Sequence, residues 1–88
     1  MLTNSECYKL AGKKINEIFG TEYLNKNKEY IKIARSDQGN EIWFYVMIKS
    51  KDDTPKLKAN DIGWTVYADI HVNKHNGNIL VVDYQLEN

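Results

Sequence analysis

The sequence is short of several features, and each shortage excludes a class of protein. Cys7 is the only cysteine, which excludes an intramolecular disulfide and fits a reducing compartment. No apolar run approaches the roughly 18 residues of a membrane helix, and the N-terminus lacks the basic-then-apolar pattern of a signal peptide. Acidic and basic residues balance at 12 each, so no long-range field attracts nucleic acid or anionic lipid. We therefore expect a cytoplasmic protein that binds neither nucleic acid nor membrane.

Motifs for cofactor binding and nucleophilic catalysis are also missing. The glycines do not form a phosphate-binding loop, so no cofactor is expected. Gly12 falls within a predicted helix, where it would allow close packing of helix on sheet. Cys7 lies on the apolar stripe of that helix, where a thiol behaves as a small hydrophobe.

The 88 residues predict one domain, residues 1–88, that begins with a helix over residues 5–19. Thr3 and Glu6 have the spacing of a capping box, although Asn4 or Ser5 could serve as the N-cap instead. Gly20 follows the helix where a left-handed residue commonly ends one. The apolar positions recur at three- and four-residue steps: Cys7, Leu10, Ala11, Ile15 and Ile18.

Four strands are predicted after the helix. Residues 21–28 are expected to form a connector, 29–35 a first strand, 36–40 a turn and 41–50 a second strand. Residues 51–61 carry the only proline and many charges. The lysines there (Lys51, Lys56 and Lys58) are offset by acids, so a solvated loop is favoured over a nucleic-acid site.

The last two strands form a predicted hairpin, residues 64–73 and 80–87, whose register depends on the turn. A two-residue Asn76-Gly77 turn would set apolar side chains opposite polar ones. A three-residue loop, His75-Asn76-Gly77 with Gly77 left-handed, sets apolar side chains opposite apolar ones and polar opposite polar. This register is preferred. It pairs Val72 with Leu80, Ile70 with Val82, Ala68 with Tyr84, Val66 with Leu86 and Asp69 with Asp83.

The second strand, EIWFYVMI from Glu41 to Ile48, is apolar on both faces. Ile42, Phe44, Val46 and Ile48 share one face, and Trp43, Tyr45 and Met47 share the other. The elements together predict an α+β fold, in which one N-terminal helix packs on a four-stranded antiparallel meander sheet. One helix covers only one face of such a sheet, so the other is expected to expose aromatic surface. Either row of this strand could be the inner one.

That uncovered face is the candidate site, where we expect a partner protein to bind. Tyr67, Asp69 and His71 are expected beside the aromatic row, with Asp83 opposite Asp69 as a like-charge pair. The acids could equally be solvated residues on the wet side of an antiparallel sheet. Asp69, His71 and Asp83 could also hold a metal ion, but no metal site is predicted.

The layout resembles that of cystatin-like and NTF2-like small domains. The segment YADIHVNKHNGNILVVDY, Tyr67 to Tyr84, resembles the final hairpin of small NTF2-fold immunity proteins from bacterial toxin systems. PepSY-type domains end in a similar hairpin. Cystatin inhibitors use a Gln-x-Val-x-Gly loop in the first hairpin, whereas the sequence here is SDQGN, so no inhibitory residues are carried over. The immunity-protein resemblance implies a small cytoplasmic binder that occludes the active site of one partner, a toxin or enzyme.

The leading hypothesis is therefore a non-enzymatic protein-binding module, of the immunity or inhibitor type. A homodimer formed through the uncovered faces or the edge strands is the first alternative. The second is an NTF2-like enzyme that binds a small molecule or a metal in a sheet-face pocket.

Overall fold

The computed structural model describes residues 1–49 and 64–84, and it begins with the predicted helix. Helix α1 spans Asn4–Phe19. The Thr3 hydroxyl accepts a hydrogen bond from the Glu6 backbone N–H at 3.1 Å, and the Glu6 carboxylate accepts one from the Thr3 N–H at 3.0 Å. The capping box is therefore confirmed, with Thr3 as N-cap. Gly20, with φ of 86°, ends the helix as expected.

Gly12 does not have the role that was expected of it. It is exposed, and no heavy atom lies within 4 Å of the position that a Cβ would take. Close packing of helix on sheet therefore does not explain this glycine, and that expectation was wrong.

The open space around Gly12 gives a stability prediction. Gly12→Ala should raise the free energy of unfolding by about 0.5–1 kcal/mol, because alanine loses less backbone entropy in a helix. Urea unfolding followed by circular dichroism measures the change. A decrease in stability would show that the space around residue 12 is filled in the folded protein.

Residues 21–28 are not the connector that was predicted. Helix α2 spans Thr21–Lys26 and is followed by a 3-10 turn at Lys28–Tyr30. The Tyr23 ring stacks on Phe19 at 5.9 Å, and Leu24 packs against the core, so this segment is stabilised by contacts that its short sequence does not reveal. Neither α1 nor α2 has the length and apolarity needed to span a membrane.

The sheet is the predicted antiparallel meander, so the α+β fold is confirmed. Strands β1 (Ile31–Asp37), β2 (Glu41–Lys49), β3 (Trp64–Asn73) and β4 (Ile79–Tyr84) lie in that order. Strand β1 begins two residues later than predicted, because the 3-10 turn takes residues 28–30. The predicted loop at 51–61, with its three lysines, and the predicted strand end at 85–87 lie outside the described residues.

The core lies between α1 and one face of the sheet. Phe44 is only 3% exposed and meets the Tyr8 ring edge-on at 5.8 Å. The alternative left open by the sequence is therefore decided: the even-numbered row of β2 is buried, and the row containing Trp43 lies on the opposite face. The core consists of the apolar α1 stripe and the inward residues of β2 and β3: Cys7, Ala11, Ile15, Ile42, Phe44, Val46, Ala68, Ile70 and Val72.

The β3–β4 register follows the prediction in only one half of the hairpin. Asp69 pairs with Asp83 and Ala68 with Tyr84, as predicted, but Val72 pairs with Ile79 and Ile70 with Val81. Val82 is the extra residue of a bulge, and the loop has four residues, 74–77. The predicted pairings of Leu80 and Val82 with core residues are therefore wrong, and Leu86 lies outside the described residues.

A second bulge interrupts β3 at Tyr67. Val46 pairs with Ala68 and Met47 with Val66, so Tyr67 has no partner in β2. This extra residue shifts the alternation of the strand. Trp64 pairs with Lys49 and lies on the face away from α1, rather than on the core face that strict alternation predicts.

Lys74 explains why the β3–β4 loop is one residue longer than expected. Its Nζ donates to both carboxylate oxygens of Asp37, at 2.8 and 2.9 Å. Its backbone N–H donates to Asn40 and its carbonyl accepts from Leu2. These bonds tie the loop to the β1–β2 turn and to the N-terminus, so Lys74 does not join the strand ladder. The Lys74 ammonium and the Gly39 N–H, both donating to Asp37, lower the pKa of that carboxyl from its ordinary 3.8.

This ion pair predicts a pH dependence of stability. A carboxyl with a lowered pKa in the folded state binds fewer protons than in the unfolded chain, so its stabilisation is complete above the ordinary pKa. That stabilisation is lost as the pH falls below about 4 and through the folded pKa. The hydrogen bonds from Thr3 also lower the pKa of Glu6. This carboxyl therefore makes stability depend on pH in the same direction as Asp37.

The variant Asp37→Asn distinguishes the contribution of Asp37 to the pH dependence from that of Glu6, because it retains Glu6. Its urea midpoint should decline less steeply than that of the wild type as the pH falls below about 4. Parallel declines in the two proteins would contradict the stabilising role of the Lys74–Asp37 pair.

Candidate functional site

The face of the sheet away from α1, called here the far face, brings together most of the residues that the sequence singles out. Neighbouring strands place Trp43 beside His71, Tyr45 beside Asp69, and Asp69 beside Asp83. Met47 lies on the same face, but its partner is Val66, because Tyr67 occupies the bulge. Trp43, Tyr45, Met47 and Tyr67 are all partly buried, so the freely exposed aromatic surface that was expected is not there.

His71 is the centre of this surface. Its ring stacks on Trp43, with ring centres 4.5 Å apart and planes 11° from parallel. The Trp43 Nε1 donates a hydrogen bond to Glu41 Oε1, and the same oxygen lies 3.7 Å from His71 Nδ1. Two strands thus hold an aromatic pair and a carboxylate in one fixed group. Glu41 was not among the predicted site residues, although it occupies the same alternating row as Trp43 and Tyr45.

On its other side His71 approaches Asp69. The Nε2 and Oδ1 atoms are 2.9 Å apart and both are buried, yet their geometry is not that of a hydrogen bond, and neither has another hydrogen-bond partner among residues 1–49 and 64–84. The side chains as a whole are 16% and 25% exposed, so each stays accessible at its edge. Among the described residues, no three histidine, cysteine or acidic side chains are grouped so that they could hold a metal ion.

Asp83 and its neighbours Leu80 and Val82 in β4 are exposed. Asp83 lies directly across from Asp69, and like charges in that position are destabilising. Leu80 pairs with His71 and is 62% exposed, while the bulged Val82 is 50% exposed. Sequence reasoning placed both of these side chains in the core. The four-residue loop instead sets Leu80 opposite His71, and Val82 is the extra residue of the bulge. The far face therefore combines apolar and acidic surface at this edge.

The opposite end of the far face is basic and was missed entirely. The ammonium groups of Lys32 and Lys49 each lie 5.8 Å from the centre of the Trp64 ring. Both contacts are within the range of cation–π attraction. The bulge at Tyr67 brings Trp64 to this face, and nothing in the strand sequence signals that bulge.

Cys7 is confirmed as a buried, free cysteine on the core stripe of α1. Burial raises the pKa of its thiol, so the thiol stays protonated near neutral pH. Its position on the α1 side separates it from the far-face residues, so it contributes no nucleophile there.

Comparison with known proteins returned no match, whether against protein-family models, curated protein sequences or solved structures.

Proposed function

We propose that the protein is a non-enzymatic binding module that binds a partner protein on its far face. The observation that carries the proposal is the fixed group of Trp43, His71 and Glu41, with Tyr45 and Asp69 in the next register position. These side chains are not needed to fill the core, which lies on the other side of the sheet. Aromatic side chains held rigidly at a surface lose little entropy on binding and dominate interface energies.

The absence of enzymatic activity is part of the same proposal. Two surface depressions, of about 400 and 430 Å³, lie on the helix side of the sheet, beside Lys14 and Gly12 respectively. Neither lining includes a histidine, cysteine or aspartate. Their titratable lining residues are Lys14, Glu17 and Tyr84 in the first and Lys28 in the second. The His71–Asp69 pair lies on the far face and lines neither of these depressions.

Within binding modules, we propose an inhibitor or immunity role in the cytoplasm, directed at a toxin or enzyme. The likeness of Tyr67–Tyr84 to the final hairpin of immunity proteins supports this role. A sheet face whose side chains are held by fixed contacts is also suited to covering the mouth of a partner's active site. The corresponding assay measures the activity of the captured partner with and without an equimolar amount of the protein.

A capture experiment with Trp43→Ala tests the binding proposal. Immobilised wild-type protein should retain a partner from an extract of the source cells, and Trp43→Ala should lose it while keeping its circular dichroism spectrum. Tyr84→Ala is the matched control, because Tyr84 is 52% exposed at the edge strand and pairs with the core-facing Ala68. Retention of the same partner by a folded Trp43→Ala protein would reject the far face as its binding surface.

A homodimer is the second candidate, and the edge strand β4 favours it. Leu80, Val82 and Tyr84 are each at least half exposed, and β4 carries a single charged residue, Asp83. Edge strands that avoid self-pairing usually carry more charge, as β1 does with Lys32, Arg35 and Asp37. Sedimentation velocity at micromolar concentration separates the candidates: a monomer excludes the homodimer and leaves the binding module.

A further inference from the structure

The depression beside Gly12, of about 430 Å³, lies where α1 leaves the edge of the sheet uncovered. Helix α1 packs on the central strands β2 and β3. Ile33 in β1 pairs with the core residue Val46, and so lies on the helix side, yet it is 46% exposed. The walls are formed by aliphatic side chains of α1, α2 and β1: Ile15, Leu24, Ile31 and Ile33. The helix side therefore has a concave aliphatic surface of a size typical of ligand pockets.

Gly12 is part of the α1 wall and keeps this space open. No heavy atom lies within 4 Å of the position that a Cβ would take, and the residue does not have a positive φ. Neither close packing nor backbone conformation therefore requires glycine here, although glycine lowers the stability of a helix. A large side chain at residue 12 would take up part of the depression. The open depression thus accounts for a glycine that helix stability disfavours.

The polar side chains of the lining indicate the charge of a ligand. Lys28 is the only titratable residue of the lining, and Asn25 has an amide group that can donate hydrogen bonds. Lys28 is exposed and makes no ion pair with residues 1–49 and 64–84. The lining thus combines one positive charge with an aliphatic wall. That combination is complementary to a molecule with an alkyl chain and a single negative charge.

We propose that the depression binds a medium-chain alkyl carboxylate. The alkyl chain packs on Leu24, Ile31 and Ile33, and the carboxylate accepts hydrogen bonds from Lys28 and Asn25. A monocarboxylate fits better than a phosphate, because the lining supplies one ammonium group and no arginine fork. This site goes beyond the proposed function, since the partner protein is assigned to the far face, on the opposite side of the sheet.

Matched amphiphiles test the inference. Octanoate and octylammonium, which differ in the charge of the head group, are titrated separately into the isotopically labelled protein and followed by amide chemical shifts. Octanoate should give saturable shifts at the amides of the lining, namely Gly12, Leu24, Lys28 and Ile33. Octylammonium should bind at least about threefold more weakly, because its charge repels that of Lys28. Hexanoate, which lacks two CH₂ groups, should bind roughly five- to fifteenfold more weakly than octanoate.

Two variants separate the shape of the depression from its charge. Gly12→Leu should weaken octanoate binding at least about tenfold, because leucine fills the space that the alkyl chain needs. It should melt no lower than the wild type, since leucine is a better helix former than glycine, so the loss cannot be attributed to unfolding. Lys28→Gln should weaken octanoate by about two- to fivefold, the range of an exposed ion pair, and reduce the preference over octylammonium.

The control variant is Lys26→Gln, which removes an exposed lysine of α2 that does not line the depression. It should bind octanoate as the wild type does. Equal binding of octanoate and octylammonium, shifts confined to residues outside the depression, or wild-type affinity for octanoate in a folded Gly12→Leu protein would overturn the inference. These titrations use no partner protein, so the far-face proposal is tested independently by its own capture experiment.

Discussion

Replacing Phe44 with alanine should remove about 3–5 kcal/mol from the free energy of unfolding, the usual cost of emptying a buried aromatic site. Phe44 is 3% exposed, lies among the α1 and β3 core residues, and meets Tyr8 edge-on. A chain of 88 residues is expected to have a total stability on the order of 4–13 kcal/mol. The loss is therefore a large fraction of the total stability, and the variant should melt well below the wild type.

The neighbouring substitution Trp43→Ala should cost much less, roughly 1–2 kcal/mol, although it deletes a larger side chain. Trp43 is only partly buried; it stacks on the His71 ring and donates one hydrogen bond to Glu41. Guanidinium unfolding of both variants, followed by circular dichroism, gives the comparison. Equal losses would mean that the far face is a second core, and the binding proposal would lose its physical basis.

Replacing Tyr45 with alanine should weaken partner binding by at least about 2 kcal/mol, a factor of about 30 in Kd. Tyr45 is at the centre of the far face, between Ala34 on β1 and Asp69 on β3. Its ring is partly exposed in the free protein and would be covered by a partner, so its loss leaves a gap at the middle of the interface. Isothermal titration calorimetry with the captured partner measures the change.

Tyr45→Phe is the conservative control, since it keeps the ring and removes only the hydroxyl. It should retain an affinity much closer to that of the wild type than Tyr45→Ala does. A folded Tyr45→Ala protein with wild-type affinity would show that the partner does not contact the centre of the far face.

Local sequence signals predicted the elements whose stabilisation is itself local. The capping box of Thr3 and Glu6 is confirmed, because its donors and acceptors are three residues apart in the chain. The two-faced pattern of Glu41–Ile48 correctly predicted a strand with an apolar row on each face. It could not say which row is inner, because that depends on how α1 is placed, and both rows are apolar.

The wrong predictions concern loops and strand registers that are determined by contacts between residues far apart in the sequence. The β3–β4 loop takes in Lys74 because Asp37, on another strand, binds its ammonium group. The bulges at Tyr67 and Val82 follow from pairing between strands, and each changes which residues reach the far face. Alternation along a single strand therefore predicted His71 and Asp69 correctly, near the middle of β3, and failed for Trp64 at its start.

The central claim is that the partner protein binds the far face and not the α1 side. Amide chemical-shift mapping of the labelled protein, free and bound to the partner it captures, tests this most directly. The largest changes should fall on the far-face residues of the central strands, namely Trp43, Tyr45, Asp69 and His71, and on Asp83. The exposed side of α1, around Lys9 and Lys13, should be unaffected. The largest changes on α1, with the far face unperturbed, would contradict the account.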